Sequence, residues 1–485
     1  EGRLVAQCDA NGNPATLAGC ARFNPNAAAR TQTIHNARGF RTDLILDGRG
    51  NILNERRYTD GTSYLETVRT YDANNNMLTE RDPAGNVKTY SYDARGNRLT
   101  ERDPGGRVST YTYNTCDKVA TETDPAGRVT NYTYDAACNL TEVRNALNHV
   151  TRYAYNSRGQ RTQFTDPNGN SWTWAYNAAG FLTSLTDPFG KATVFTFGPT
   201  GDLLSRVDRM NRQIAFQYDS AHRLTRETWG NGRVTNYGYD AAGQLLTAVD
   251  PDSALTMTYD ASGRLRSVDN VGTPGAPRVV MTYGYDANGN VTQVADSLGG
   301  VTDYSYDGLD RLARVTQSGT GVQPKRVDME YDASSLLRAM RRFSNLAGTA
   351  AVANTLYEYD CGGCPSRLTA IRHRKASDNS VIHDLTYTRD AVGNILQMVD
   401  ADGTHNYSYD AIRRLLSAGH SNTALQPNEF YTYDAVGNRL TSHLSNVHAY
   451  SRNRLVEDQQ HTYLYDDEGN QVRKTVKGTG AYTEY

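Results

Sequence analysis

The sequence predicts an all-β chain, a long antiparallel β-hairpin meander with a 21-residue repeat that curls along its length. Three observations predict it. Nine aromatic residues hold one frame of 21 residues, at Tyr71, Tyr92, Tyr113, Tyr134, Tyr155, Tyr176, Phe197, Tyr218 and Tyr239. A period kept without slippage marks a stacked repeat protein. Two turn tetrapeptides recur inside each period, and the runs between them, about seven residues long, are rich in Tyr, Thr, Val and Leu, which is a hairpin pattern.

The turns come first. In residues 86–106 the tetrapeptides run from Asp93 to Gly96 and from Asp103 to Gly106. Aspartate suits the first position because its carboxylate accepts the N–H groups that follow, and glycine suits the last because it tolerates positive φ. In the second turn, proline presets the corner. The Asp-Pro-x-Gly form recurs at Asp82-Pro83-x-Gly85, Asp103-Pro104-x-Gly106, Asp124-Pro125-x-Gly127, Asp166-Pro167-x-Gly169 and Asp187-Pro188-x-Gly190. Each repeat therefore carries a Tyr-Asp turn and an Asp-Pro turn, on opposite edges of a strip.

The strands follow. Residues 31–485 hold about 21 units, which at about 4.8 Å between strands makes on the order of 40 strands and a strip about 200 Å long. Open twisted sheets rarely pass about 10 strands without curling, so the strip rolls up. If both turns are three-residue loops with a glycine bulge, the frame aromatic (position 0) faces +6, and +10 faces +16. Those two reflections advance the pattern by 20 residues, one short of the period. The leftover residue is expected as a β-bulge between the valine at −5 (Val87, Val108, Val129, Val150, Val234) and the aromatic at −2. That bulge would put both on the face of the frame aromatic and the apolar +6 residue. A longer loop at one turn is the competing account. The +6 column reads Met77, Val119, Leu140, Leu182, Leu203, Leu224 and Leu245, interrupted by Arg98 and Arg161.

The −2 column is aromatic at Tyr90, Tyr111, Tyr132, Tyr153, Trp174, Phe195, Phe216 and Tyr237. With the frame column it makes two ladders whose rings can stack and whose hydroxyls can reach water or backbone. Structural packing is the expected role, with a carbohydrate-binding groove as the lesser alternative. Residues 1–30 lack the repeat and are read as a connector or cap, 31–70 as degenerate repeats beginning at His35–Gly39, 71–258 as regular repeats, and 259–485 as irregular ones. In the last stretch the frame passes through Tyr285, Tyr306, Tyr331, Tyr359, Arg389, Tyr409, Tyr433 and Tyr465. The added residues fall at 272–277, 319–324, 348–355, 375–380 and 422–428, read as longer hairpin tips on the strip's edge.

The totals narrow the function. With 51 basic against 53 acidic residues the chain has no concentrated basic face for nucleic acid or anionic membrane. No apolar run reaches the roughly 18 residues of a membrane span. The chain opens at Glu1 and stops inside a repeat near 465–469, so it reads as a piece of a longer chain, which is then its first partner.

No enzyme site, cofactor site or metal site assembles from the residues. Six cysteines form three local pairs, Cys8 with Cys20, Cys116 with Cys138, and Cys361 with Cys364. Paired placement favours an oxidising, extracellular location, secreted or at the cell surface. Cys361 and Cys364 flank a turn, where a disulfide is preferred over free thiols or a zinc half-site completed by His373 and His383. Cys116 and Cys138 lie one repeat apart, about 10 Å along the strip, so bridging them requires the turns to lean together. The ten histidines are scattered, with no acid and nucleophile at motif spacing. Asp286–Asn290 lacks the final glutamate of a calcium loop and falls in the frame of a turn.

The pattern Tyr-x-Tyr-Asp-x-x-Gly followed by Asp-Pro-x-Gly, as in Tyr90–Gly106, resembles the YD repeat of the RHS (rearrangement hotspot) family over about residues 31–485. That family includes polymorphic toxins, B and C components of insecticidal toxin complexes, and teneurins. The resemblance implies a β-strip spiralling into part of a hollow shell that encloses or presents a toxin polypeptide. Family toxins carry an aspartyl self-cleavage core with Asp-Pro-x-Gly-Leu. Here Gly85, Gly106, Gly127, Gly169 and Gly190 precede Asn, Arg, Arg, Asn and Lys. The expectation is a non-enzymatic structural segment. Alternatives are adhesion to a cell-surface glycan or protein, with Trp172 and Trp174 as the residues to test, and an extracellular filament.

Overall fold

The computed structural model describes residues 6–13, 18–26, 30–360 and 367–485, the first two stretches as backbone alone. Among these residues there are strands and turns and no helix. Successive strands pair antiparallel through hairpins, as the repeat predicts. Ala6–Asn13 and Ala18–Asn26 are strands, the second paired to Thr31–His35. Near the other end, 448–484 forms a separate five-stranded sheet.

Turn chemistry sets the hairpins. At Asp93–Asn97 the glycine takes φ 86°. Gly96 N–H donates to the Asp93 carbonyl (3.1 Å) and Asp93 N–H to the Asn97 carbonyl (2.9 Å). Asp93 Oδ1 accepts the amides of Arg95 and Asn97, both at 2.9 Å. A fifth residue, overlooked in the tetrapeptide, completes the motif. Asn97 Nδ2 returns to Asp93 Oδ2 (3.0 Å), and Arg128 Nε does the same to Asp124 (2.7 Å). Asp-x-x-Gly-Asn/Arg recurs in the sequence, as at Asp82–Asn86, Asp124–Arg128 and Asp166–Asn170, and was the available signal.

The strand register confirms both predicted pairings, Tyr92 with Arg98 and Arg81 with Val87. The leftover residue sits elsewhere than expected. Lys88 faces Glu80 and Thr89 faces Thr79 without a break, which rules out a bulge between −5 and −2. Ser91 faces Thr100 while Tyr92 faces Arg98, so Leu99, at +7, is the extra residue. The same shift recurs at the following hairpins. Valine at −5 therefore lies on the face opposite the frame tyrosine, and Val87 and Val129 are each 38% exposed. A β-branched residue suits a strand on either face, so its identity carried no information about the side it takes.

Two sets of side-chain bonds join the strands. On one face, hydroxyls at −1 and +8 pair across several hairpins, as in Thr70 with Thr79 (2.7 Å), Ser91 with Thr100 (2.6 Å) and Thr112 with Thr121 (2.6 Å). On the other, most frame tyrosines donate their hydroxyl to the carbonyl of the preceding repeat's +6 residue. Tyr92 reaches Met77 O, Tyr134 Val119 O and Tyr155 Leu140 O, all at 2.9 Å. The ladder between Met77–Arg81 and Val87–Tyr92 ends at Thr79, which leaves the Met77 carbonyl without a strand partner. A buried or half-buried carbonyl left unpaired is costly, and the tyrosine hydroxyl supplies its donor. We expect Tyr134→Phe to destabilise the chain by about 1 kcal/mol in denaturant unfolding. A variant as stable as the parent would show that the hydroxyl contributes nothing.

The sheet is one layer thick and has little core. Among the described residues the buried apolar side chains are Ile214, Ala339, Ala370, Ala418 and Tyr431. The chain forms two compact units, residues 1–108 with 237–387, and residues 109–236 with 388–485.

Candidate functional site

Within each unit two distant chain segments meet edge to edge, and this seam is the most built-up feature of the molecule. In the first unit the early segment contributes turns of the Asp-Pro edge. Residues 36–40 share that edge, since three strands separate them from the Tyr-Asp turn at 72–76. The later segment contributes Tyr-Asp turns. Arg38 N–H donates to Asn288 Oδ1 (3.0 Å), and its guanidinium reaches Asp310 Oδ1 (2.6 Å) and the carbonyls of Asp307 and Tyr306 (both 3.1 Å). Asp286 lies 3.5 Å from Arg38 Nε. Farther along, Ser334 Oγ donates to Asp82 Oδ2 (2.8 Å), and Arg107 lies 4.0 Å from Asp360. Gly308 packs so closely on Thr59 O and Phe40 that a Cβ there would overlap both.

The second unit repeats the arrangement with different residues. Asn168 Nδ2 donates to Asp434 Oδ2 (2.7 Å), and Asn453 Nδ2 to Asp166 Oδ2 (2.6 Å). Arg209 donates from its backbone to Glu468 Oε1 (2.6 Å) and from its guanidinium to Glu468 Oε2 (3.0 Å) and Asp187 Oδ2 (3.2 Å). Lys191 pairs with Asp467 (2.8 Å), and the Arg454 guanidinium lies 4.2 Å over the Phe189 ring. Several turn residues thus have two duties. Asp82, Asp166 and Asp187 hold their own corners and also bind the opposing segment.

Electrostatics follow from these contacts. Burial acts to raise the Asp82 carboxyl, but the hydrogen bonds from Asn86 and Ser334 bring it below the usual carboxylate range. The amides of Ser63 and Thr62 hold exposed Asp60 down at about 2. A depressed carboxylate contributes stability above its ordinary value near 3.8 and loses it as pH falls through the folded value. We expect the Thr62 and Ser63 amide resonances to shift with a midpoint near pH 2; a midpoint near about pH 4 would refute the assignment.

The predicted ladder residues occupy one face. Frame and −2 aromatics are half-buried together along strands such as Val129–Tyr134 and Val150–Tyr155. Ring contacts run between columns, as in Tyr153 with Phe164 (5.7 Å) and Phe164 with Trp172 (5.3 Å). The two arginines that interrupt the +6 column lie over −2 rings, Arg98 5.8 Å from the Tyr90 centroid and Arg161 4.4 Å from that of Trp174. Burial pushes the Tyr92 and Tyr134 hydroxyls up, which keeps them as donors.

Cys116 and Cys138 are joined by a disulfide with Cα atoms 6.2 Å apart. Cys8 faces Cys20 in the strand register, and Cys361 and Cys364 lie outside the described residues. His373 and His383 face each other across a strand pair, ring centroids 6.4 Å apart, and Thr355 Oγ1 bonds His373 Nδ1 (2.9 Å). No group of three His, Cys, Asp or Glu is set to hold a metal among the described residues. Asp286 acts as a turn former, its Oδ1 accepting the amides of Asn288 and Asn290, both at 2.9 Å. Residues 348–355, expected as one hairpin tip, are in fact divided. The tip spans 344–350, and Ala351–Tyr359 is a strand in which Thr355 is fully buried. A buried histidine pair escaped the sequence reading. His405 Nδ1 lies 2.7 Å from His420 Nδ1, and His405 Nε2 3.0 Å from Asp400. Their separation of 15 residues matches a facing pair across one hairpin, the signal that could have revealed it.

Comparisons with known proteins agree with the repeat. A teneurin YD-shell model matches residues 110–254, and an RHS repeat model matches 71–108, 239–274 and 285–322. Double-stranded DNA deaminase toxin A of Burkholderia cenocepacia (strain H111) is 35% identical over 115 residues, 21% of this chain and 8% of that protein. The fold resembles the crystal structure of TcdB2-TccC3-Cdc42, with TM-score 0.69, 15% identity and coverage of 96% of this chain and 30% of that one. It also resembles the Photorhabdus luminescens Tc holotoxin pore, with TM-score 0.71, 16% identity and the same coverages. The chain thus spans under a third of the solved chains and under a tenth of the curated relative.

Proposed function

We propose that this chain, a member of the RHS/YD-repeat proteins, is a wall segment of a toxin-associated shell, with no catalytic chemistry of its own. Its task is enclosure, keeping a toxin or effector polypeptide of the longer chain apart from its surroundings until delivery, in a secreted or surface-displayed protein. The observation that carries this reading is the seam. A single-layer strip with little core excludes other polypeptides only where its edges meet, and in each unit charged turns lock two segments side by side. The likeness to toxin-complex structures supports the setting.

Limited proteolysis of the parent protein tests it. We expect the polypeptide carried with this segment to resist protease while the wall is intact and to be cut once the wall is denatured. Digestion at the rate of the isolated polypeptide would end the reading. Adhesion makes a different demand, through the cluster of Tyr153, Phe164 and Trp172. Glycan-array binding lost on Trp172→Ala would favour it.

A further inference from the structure

Each segment of strip has one edge of Tyr-Asp turns and one of Asp-Pro turns. In the unit of residues 1–108 and 237–387, the seam joins the Asp-Pro edge of the early segment to the Tyr-Asp edge of the late one. The outward edges are then the complementary pair, Tyr-Asp turns early and Asp-Pro turns late. Complementary edges on opposite sides allow a head-to-tail contact, the arrangement that grows rings or open filaments from copies of one chain. A row of turns that could take a second copy needs a device against such growth.

The outward Asp-Pro edge carries one. On the seam side the turns are tight, spanning 36–40, 59–63, 82–86 and 103–107. On the outward side, the strands leading to that edge lengthen from 5 residues in Met77–Arg81 to 8, 7 and 8 in Leu312–Gly319, Leu337–Phe343 and Leu368–Lys375. At about 3.3 Å per residue these hairpins stand about 7–10 Å proud of the tight turn at 250–253, which follows the five-residue strand Leu245–Val249. Their tips at 320–324, 344–350 and 376–380, with the loop 270–279, contain as charged residues only Arg278 and Asp378, and the strand ends that carry them add exposed Lys325 and Lys375. Arg278 is occupied by Asp269 of its own hairpin (2.6 Å). The tips are ordered by internal bonds. Asn345 Oδ1 accepts the amides of Gly348 and Thr349 (both 3.1 Å), and Arg326 holds the carbonyls of Leu346 (3.2 Å) and Ala347 (3.1 Å). A Tyr-Asp edge offered to this margin would meet uneven projections where the seam provides a level row of tight turns.

We propose that these protruding hairpins are a built stop, which keeps a second copy of the chain from docking its Tyr-Asp edge there and extending the seam from molecule to molecule. The test trims them. Residues 318–325, 343–351 and 374–381 are each replaced by Asp-Pro-Ala-Gly-Asn, and mass is followed by light scattering against concentration. The parent chain is expected to keep the mass of one copy, and the trimmed chain to at least double its mass on concentration and revert in high salt. A folded trimmed chain that stays single overturns the proposal. If trimming prevents folding, hydrogen exchange on the parent decides. Tips 320–324 and 344–350 exchange equally in dilute and concentrated samples if the stop works, and protection gained on concentration overturns it.

Discussion

Arg38→Ala is expected to destabilise the unit of residues 1–108 and 237–387 by about 2–3 kcal/mol, the scale of charge-assisted hydrogen bonds lost from a partly buried site. Its side chain is 17% exposed and faces Asp310, Asp286 and two backbone carbonyls. Removing it strands acceptors from two turns at once, which is why the loss exceeds that of an ordinary surface ion pair, worth about 0–1 kcal/mol. Amide exchange should quicken at 286–290 and 307–311 and stay unchanged at the hairpin turn of Asp93–Asn97. Uniform acceleration would mean that Arg38 acts on the whole fold, and no change would remove the seam from the stabilising contacts. Arg38→Lys should recover little, because one ammonium cannot span the same set of acceptors.

Reduction of the Cys116–Cys138 disulfide is expected to cost about 3 kcal/mol in denaturant unfolding, from the chain entropy of a loop of 22 residues. The two cysteines should not be equivalent. Cys138 takes φ 64°, in the position that other repeats fill with Gly96 and Gly159. Cys138→Gly loses the bridge but relieves that backbone, and should be more stable than Cys116→Ser by about 0.5–1 kcal/mol. Equal losses would show that the corner carries no strain. A reduced chain as stable as the oxidised one would show that the two repeats are held by their ladder alone.

The repeat, both turns and both strand pairings were legible because each is written locally, in residues that must be Tyr, Asp or Gly for steric or hydrogen-bonding reasons. The frame tyrosine is the clearest case, since its hydroxyl has a fixed acceptor one repeat back. The bulge was legible in number but not in place. Period arithmetic demands one extra residue, yet the +7 column reads Leu78, Leu99, Ala120, Thr141 and Thr162, and an exposed bulged residue selects no side-chain type. The seam was illegible for another reason. Arg38 and Asp310 stand 272 residues apart, and each belongs to a turn that would look the same without its distant partner. Asp166 gives no sign in the sequence that Asn453 completes it.

The tyrosine hydroxyl that reaches back one repeat makes chain length modular. Excising one 21-residue unit leaves every remaining hydroxyl with an equivalent carbonyl to grip, so the ladder heals. The same excision, made between residues 209 and 453, slides every later turn one tooth along its opposing row, parting Arg209 from Glu468 and Asn453 from Asp166. Evolution can therefore add or drop beats of this strip freely only where both rows change together.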